Sequence, residues 1–184
     1  MSIYQGRDAD YGPAFALLLL HDSSRAPKIG ADLEKRYPED TCVQFNYLPA
    51  LQGLEALNQG NPAKALEKTQ MAESYDLAIP ATAWYNGGFF GALYPVYVRG
   101  LAYSRMGRHR EAAIEFQKIV THPYITLNDP IGPVARLWLA KELSASGDRA
   151  KSAEAYRDLL ALWKDADADI PLVRQARTES AKLP

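Results

Sequence analysis

Small and large apolar residues recur along this chain at one fixed spacing. Steps of 3, 4, 5, 4 and 3 residues separate the members of one set, which are Gly100, Tyr103, Gly107, Ala112, Phe116 and Ile119. Two further sets, one from Ala140 to Leu159 and one from Gly53 to Ala72, follow the same steps. In each set a glycine separates two runs of helical periodicity, and glycine readily ends a helix in a left-handed turn. The pattern therefore predicts three helix hairpins in an all-α chain.

Glycine and alanine occupy positions inside these helices where a larger residue would bury more surface. We expect Gly100 to lie opposite Ala112 across its hairpin, because small side chains let two backbones approach closely. Phe116, one turn later, and Tyr156 in the next set are expected to fill the space toward the following element. Side chains are thus predicted to be small where the two helices of one hairpin cross and large where neighbouring hairpins stack.

The chain as a whole is predicted to form one domain over residues 1–184. Surplus residues between the repeats fall at 77–95 and 121–133, which are rich in proline, glycine and apolar residues, unlike flexible tails. The aromatic residues of 77–95 suit either packing on the hairpins or a binding surface. The predicted segments are a degenerate helix pair at 10–38, repeats at 46–76, 94–122 and 132–163, and a capping helix at 169–183.

The spacing resembles that of the tetratricopeptide repeat, or TPR. The stretch 96–119 is similar to the TPR consensus at its glycine, tyrosine, alanine and phenylalanine positions. It departs from that consensus at Val96, where the family prefers tryptophan, and at Arg99, where it prefers leucine. The resemblance implies a right-handed α–α superhelix of antiparallel helix hairpins with a C-terminal capping helix.

A second resemblance rests on three short stretches, "LYPVYVRG", "LNDPIG" and "LWKDAD". They are similar to the C-terminal TPR region of bacterial eukaryote-like serine/threonine protein kinases, and of some winged-helix transcription regulators. This implies an accessory region of a larger signalling protein, either the extracytoplasmic part of a single-span membrane protein or cytoplasmic. The sequence has no glycine-rich phosphate loop and no HRD, DFG or APE motif, so we expect no kinase activity from this chain. We also expect that the chain is not an enzyme of another class.

Composition and charge narrow the partner class. Charged residues make up 23% of the chain and the net charge is −1, so no basic field is present to hold nucleic acid or an anionic membrane. Cys42 is the one cysteine, and the three histidines, at 21, 109 and 122, share no motif. We expect no cofactor and no metal, and we assign the histidines to solvated or helix-capping positions, with a metal or general-base role as the alternative.

A protein or peptide partner is the remaining expectation. TPR arrays bind such partners on the concave face that the first helix of each hairpin lines, so the resemblance implies a partner site there. Only Arg105 and Lys141 bring positive charge to this face, so a strongly acidic peptide is not assigned. The alternative is a small-molecule or peptide sensor with a pocket under 77–95. The candidate partner-binding residues are Tyr94, Tyr97, Leu101, Arg105, Leu137, Trp138 and Lys141.

Overall fold

The computed structural model describes residues 6–78 and 91–183, and every regular element within these ranges is helical. The predicted all-α class is therefore confirmed. A π-helical turn at Val43–Tyr47 leads into α3, and a 3₁₀ turn at Glu73–Tyr75 follows α4. The α-helices are α1 (Arg7–Leu19), α2 (Ala26–Arg36), α3 (Leu48–Asn58), α4 (Pro62–Gln70), α5 (Tyr94–Arg105), α6 (His109–Val120), α7 (Pro123–Thr126), α8 (Ile131–Ala145), α9 (Arg149–Leu162) and α10 (Pro171–Ser180).

Three short turns fold α3 onto α4, α5 onto α6 and α8 onto α9. Their glycines, Gly60, Gly107 and Gly147, have φ values of 75°, 71° and 92°. In each turn the glycine N–H donates to the carbonyl three residues earlier, and the next N–H donates to the carbonyl five residues earlier, at 2.9–3.1 Å. This paired bonding satisfies carbonyls at the helix end, so each predicted glycine turn forms a hairpin for the expected reason.

The turn between α1 and α2 has the same geometry without a glycine. His21 adopts φ 59°, and the N–H groups of His21 and Asp22 donate to carbonyls three and five residues earlier, at 3.0 and 2.8 Å. The Asp22 carboxylate then accepts hydrogen bonds from two N–H groups at the start of the next segment. The Ser24 hydroxyl and the Arg25 guanidinium also donate to this carboxylate, and these two side chains, followed by the two N–H groups, hold the pKa of Asp22 well below its usual range. The degenerate pair therefore closes through a histidine in the left-handed conformation.

Inside the hairpins, small residues of the first helix make room for side chains of the second. A Cβ atom at Gly100 would lie 2.7 Å from the ring of Phe116, and a Cβ atom at Gly53 would lie 2.8 Å from Cγ2 of Thr69. Both pairs are sixteen positions apart in sequence, on either side of the turn glycine. The space at Gly100 is therefore taken by the Phe116 ring, one turn beyond the Ala112 that the sequence predicts opposite this glycine.

Large residues of the second helices also reach the next element, as predicted. Phe116 of α6 stacks on Trp138 of α8 with ring centroids 5.8 Å apart. Tyr156 of α9 is buried, and its hydroxyl donates to Glu179 of α10 over 2.6 Å. Because α4 also packs on α5, each second helix contacts the first helix that follows it, and the hairpins stack in chain order.

The N-terminal pair packs on the π-helical turn before α3 and on the start of α5 through aromatic rings. Tyr11 and Tyr47 stack in parallel with centroids 3.9 Å apart, and Tyr94 meets Phe15 edge-on at 4.6 Å. Gly91 lies against both stacked rings, because a Cβ atom there would be within 2.9 Å of each. The predicted aromatic linker at 77–95 is described only at its two ends, and residues 79–90 lie outside the described ranges.

In the part of the chain that the structure describes, no helix combines the length and the apolar character needed to cross a bilayer.

Candidate partner-binding surface

Four of the seven predicted partner-binding residues keep exposed surface on the first helices of two neighbouring hairpins. Tyr97 and Arg105 belong to α5, and Trp138 and Lys141 belong to α8. Arg105 is exposed, and the other three are partly buried. We call these four residues the first-helix surface.

The other three predicted residues are in the core. Tyr94, Leu101 and Leu137 expose 7%, 8% and 2% of their surface. The Tyr94 hydroxyl donates to Asp129 over 3.0 Å, and burial is the main cause that raises the pKa of this tyrosine. Leu137 packs with Tyr156 and with other residues of α9 and α10. The prediction that these three residues are exposed is thus wrong, because neighbouring hairpins cover the first helices on more sides than helical spacing alone indicates.

Phe116 holds the two partly buried aromatic residues of the first-helix surface in place. Its ring, which is fully buried, lies 5.9 Å from the Tyr97 ring and 5.8 Å from the Trp138 ring. The Lys141 ammonium lies 4.2 Å from the centroid of Trp138, a distance typical of a cation–π contact. The second helix of one hairpin therefore fixes aromatic rings that belong to two first helices.

The C-terminal ends of the first helices are joined by polar contacts that the sequence did not predict. The Arg105 guanidinium donates to the carbonyl of Leu57, which connects α5 to α3. The Glu142 carboxylate, 3% exposed, accepts from Ser104 over 2.6 Å and lies 2.7 Å from Nδ1 of His109. The His109 side chain is 37% exposed, in line with the expected solvated position, but its ring also pairs with a buried carboxylate of α8, which the sequence did not predict.

The group at Glu142 contains a serine, a histidine and an acid but lacks the geometry of a hydrolase triad. In such a triad the histidine accepts the proton of the serine hydroxyl, and the acid orients the histidine. Here Ser104 and His109 both contact the same carboxylate, so the hydroxyl proton points to Glu142. The group links α5 and α6 to α8.

His122 caps a helix, as the sequence predicts. Its Nδ1 lies 2.7 Å from the carbonyl of Lys118, in the last turn of α6. A ring N–H in this position satisfies a carbonyl that has no partner within the helix.

A buried ionic network lies behind the first-helix surface. Arg99 is 1% exposed and contacts Asp76 at 2.5 Å, Glu115 at 3.1 Å and the Thr69 carbonyl at 3.2 Å. Lys118 adds a contact of 2.8 Å to Asp76. Burial by itself would lower the pKa of Arg99, but the two carboxylates raise it above its ordinary value. The one sequence signal was an arginine where the resemblance to the TPR implies a leucine, and nothing in its spacing identified the acids.

A groove opens on a different side of the same hairpins. It lies over α8, between α6 and α9, has a volume of about 800 Å³, and is lined by Ala113, Ile114, Gln117, Leu139, Leu143 and Lys151 among others. Successive residues of an α-helix are about 100° apart, so Leu139 points nearly opposite to Lys141. We call this the outer groove, and it is separate from the first-helix surface.

Comparisons of the chain with protein-family models, with curated proteins and with solved structures each found no match.

Proposed function

We propose that this chain is a non-catalytic protein-interaction module of the TPR type and that its partner binds on the first-helix surface. The observation that carries the proposal is the pair of half-buried aromatic residues, Tyr97 and Trp138, held by one buried ring and flanked by Lys141. In this proposal the stacked hairpins wind into a right-handed superhelix with α3, α5 and α8 on its inside.

The repeated local geometry supports the TPR assignment. Three turns share one hydrogen-bond pattern around a left-handed glycine, and the close pairs Gly53–Thr69 and Gly100–Phe116 recur at the same separation. Repeats of this kind stack on their nearest neighbours and form extended concave surfaces.

The chemistry of the first-helix surface suits a peptide segment. Tyrosine and tryptophan bury a large area while losing few rotamers, and they are enriched among residues that dominate binding energy. Because Phe116 already restricts both rings, little additional ordering is required when a partner binds. Lys141 and Arg105 then offer donors to a carbonyl or a carboxylate, which favours a mainly apolar segment that carries one or two acceptors.

The larger protein is proposed from the resemblance alone. The stretches at 93–100, 127–132 and 162–167 point to an accessory region of a bacterial signalling protein, such as a serine/threonine kinase or a winged-helix regulator. In that setting the module recruits a protein and leaves the chemistry to another domain.

Peptide-library selection followed by binding measurements tests this proposal. Peptides selected on the whole chain should bind the Tyr97→Ala/Lys141→Ala variant at least tenfold more weakly by fluorescence polarisation, because the variant loses an aromatic contact and a donor. The matched control is Tyr124→Ala/Arg157→Ala, which removes an exposed aromatic residue and an exposed cation elsewhere. Equal affinity for wild type and the first variant would refute the assignment of the site.

A further inference from the structure

The outer groove has an apolar floor and one strongly exposed apolar side chain on its wall. Leu139 and Leu143 of α8 form the floor, and Ala113 of α6 borders it. Ile114, one residue further along α6, is 63% exposed. Ile114 thus extends the apolar floor to the surface, and a contiguous apolar patch rimmed by polar residues marks sites that bind a ligand or another protein.

The groove is long. A second cavity of about 260 Å³ shares four of its lining residues, Gln117, Leu139, Leu143 and Lys151, so the two cavities are one continuous depression. Its α6 side extends from Arg110 to Val120. At 1.5 Å per residue this distance is about 15 Å, which corresponds to three helical turns.

The two walls carry opposite charge. Arg110 lines the α6 side of the larger cavity, whereas Glu154 and Asp158 line the α9 side of the smaller cavity, toward the other end of the groove. Arg136 rises from α8 at the same end but forms no ion pair with either carboxylate among the described residues. Lys151 is already paired with Asp148 at 3.0 Å. The exposed charges on the walls are therefore available to a second molecule.

We infer that the outer groove binds an amphipathic helix of a partner protein, separately from the first-helix surface. The helix would carry an apolar stripe at i, i+3 or i+4, and i+7, with lysine or arginine along the side that faces α9 and a carboxylate along the side that faces Arg110. The length, the apolar floor and the opposite charges of the walls match such a stripe and its flanks. A small molecule would use the floor but not both walls.

A synthetic helix provides the probe. An acetylated and amidated peptide of about 14 residues, with the leucine stripe, the lysine flank and the glutamate flank described above, should bind the chain with a Kd in or below the range of about 100 µM. A peptide of the same composition with the stripe scrambled should bind at least tenfold more weakly. Failure of the patterned peptide to bind better than its scrambled form would overturn the inference.

Two variants place the binding in the groove. Ile114→Glu should weaken binding of the patterned peptide at least tenfold, while the matched control Leu20→Glu, at a leucine that is 78% exposed on another hairpin, should leave it unchanged. The pair Glu154→Lys/Asp158→Lys should weaken that peptide and strengthen a peptide with glutamate on both flanks. Equal loss in Ile114→Glu and Leu20→Glu, or no response to the charge reversal, would contradict the inference.

Two further measurements separate this inference from its rivals. The Tyr97→Ala/Lys141→Ala variant should bind the patterned peptide with the affinity of wild type. A refutation of the proposed partner site on the first-helix surface would therefore leave the proposal for the outer groove standing. An apolar dye provides the second measurement. If the dye binds wild type but not Ile114→Glu, and no peptide binds, the groove is a small-molecule site and the proposal of a helical partner is refuted.

Discussion

Replacing Arg99 with leucine, the residue that the resemblance to the TPR implies at this position, should strongly destabilise the protein. The Arg99 network contains two cations, Arg99 and Lys118, and two anions, Asp76 and Glu115. Leucine removes one cation and leaves a net charge of −1 beside a carboxylate that is 6% exposed. The Thr69 carbonyl also loses its guanidinium donor.

The magnitude follows from what the remaining residues can still do. Removing one partner of a buried ion pair costs about 3–5 kcal/mol. Lys118 stays 2.8 Å from Asp76 and 3.6 Å from Glu115, so it compensates part of the negative charge that the substitution leaves without a partner. We therefore expect Arg99→Leu to lose about 3 kcal/mol, at the lower end of that range.

Urea denaturation followed by far-ultraviolet circular dichroism measures this loss. Arg108→Leu is the matched control, because its ion pair with Glu111 is exposed and such pairs contribute about 0.5 kcal/mol. Adding Asp76→Asn to Arg99→Leu restores charge balance and should recover about 1–2 kcal/mol relative to the single variant. A loss below about 1 kcal/mol in Arg99→Leu, or a further loss in the double variant, would refute this reasoning.

The remaining predictions concern a glycine and a cysteine. Gly100→Ala should lose about 1–3 kcal/mol because the new Cβ atom would lie 2.7 Å from a Phe116 ring that Tyr97 and Trp138 hold in place. Gly30→Ala, where the nearest atom is 3.9 Å away, should instead gain about 0.5–1 kcal/mol in the same urea measurement, and equal effects would contradict the packing argument. Burial raises the pKa of Cys42 to about 11 from its ordinary 9.0, so the thiolate fraction of the folded protein near neutral pH is lower by about 100-fold. Iodoacetamide should therefore label the folded chain much more slowly than the urea-unfolded chain at about pH 8, with the rate rising until about pH 11; similar rates at about pH 8 would disprove the shift.

Local signals predicted the helices well because each hairpin is specified by residues that are close in sequence. A glycine that ends one helix and begins a tight turn acts over about six residues, which is why Gly60, Gly107 and Gly147 were placed correctly. His21 performs the same role but carries no such signal, since histidine in the left-handed conformation depends on the surrounding bonds. The short α7 and the π-helical turn before α3 were not predicted for a similar reason.

The candidate site was less predictable because it depends on how separate hairpins meet. Helical spacing put Leu101 and Leu137 on an exposed face, but neighbouring helices bury them. Glu142 brings together residues that are 33 and 38 positions away in sequence, and Arg99 reaches an acid 23 positions away. The outer groove likewise arises from the separation between α6 and α9, which no single stretch of sequence encodes.

The three turn glycines also have a stereochemical consequence. A Cβ atom added at Gly60, Gly107 or Gly147 would meet no atom within 4 Å, so space is not what selects glycine there. The positive φ selects it, and a D-amino acid prefers this sign of φ as strongly as an L-amino acid avoids it. These turns are therefore selective for handedness and tolerant of size. A chemically synthesised chain with D-alanine at the three positions would keep the turns and lose the conformational freedom that glycine gives the unfolded state.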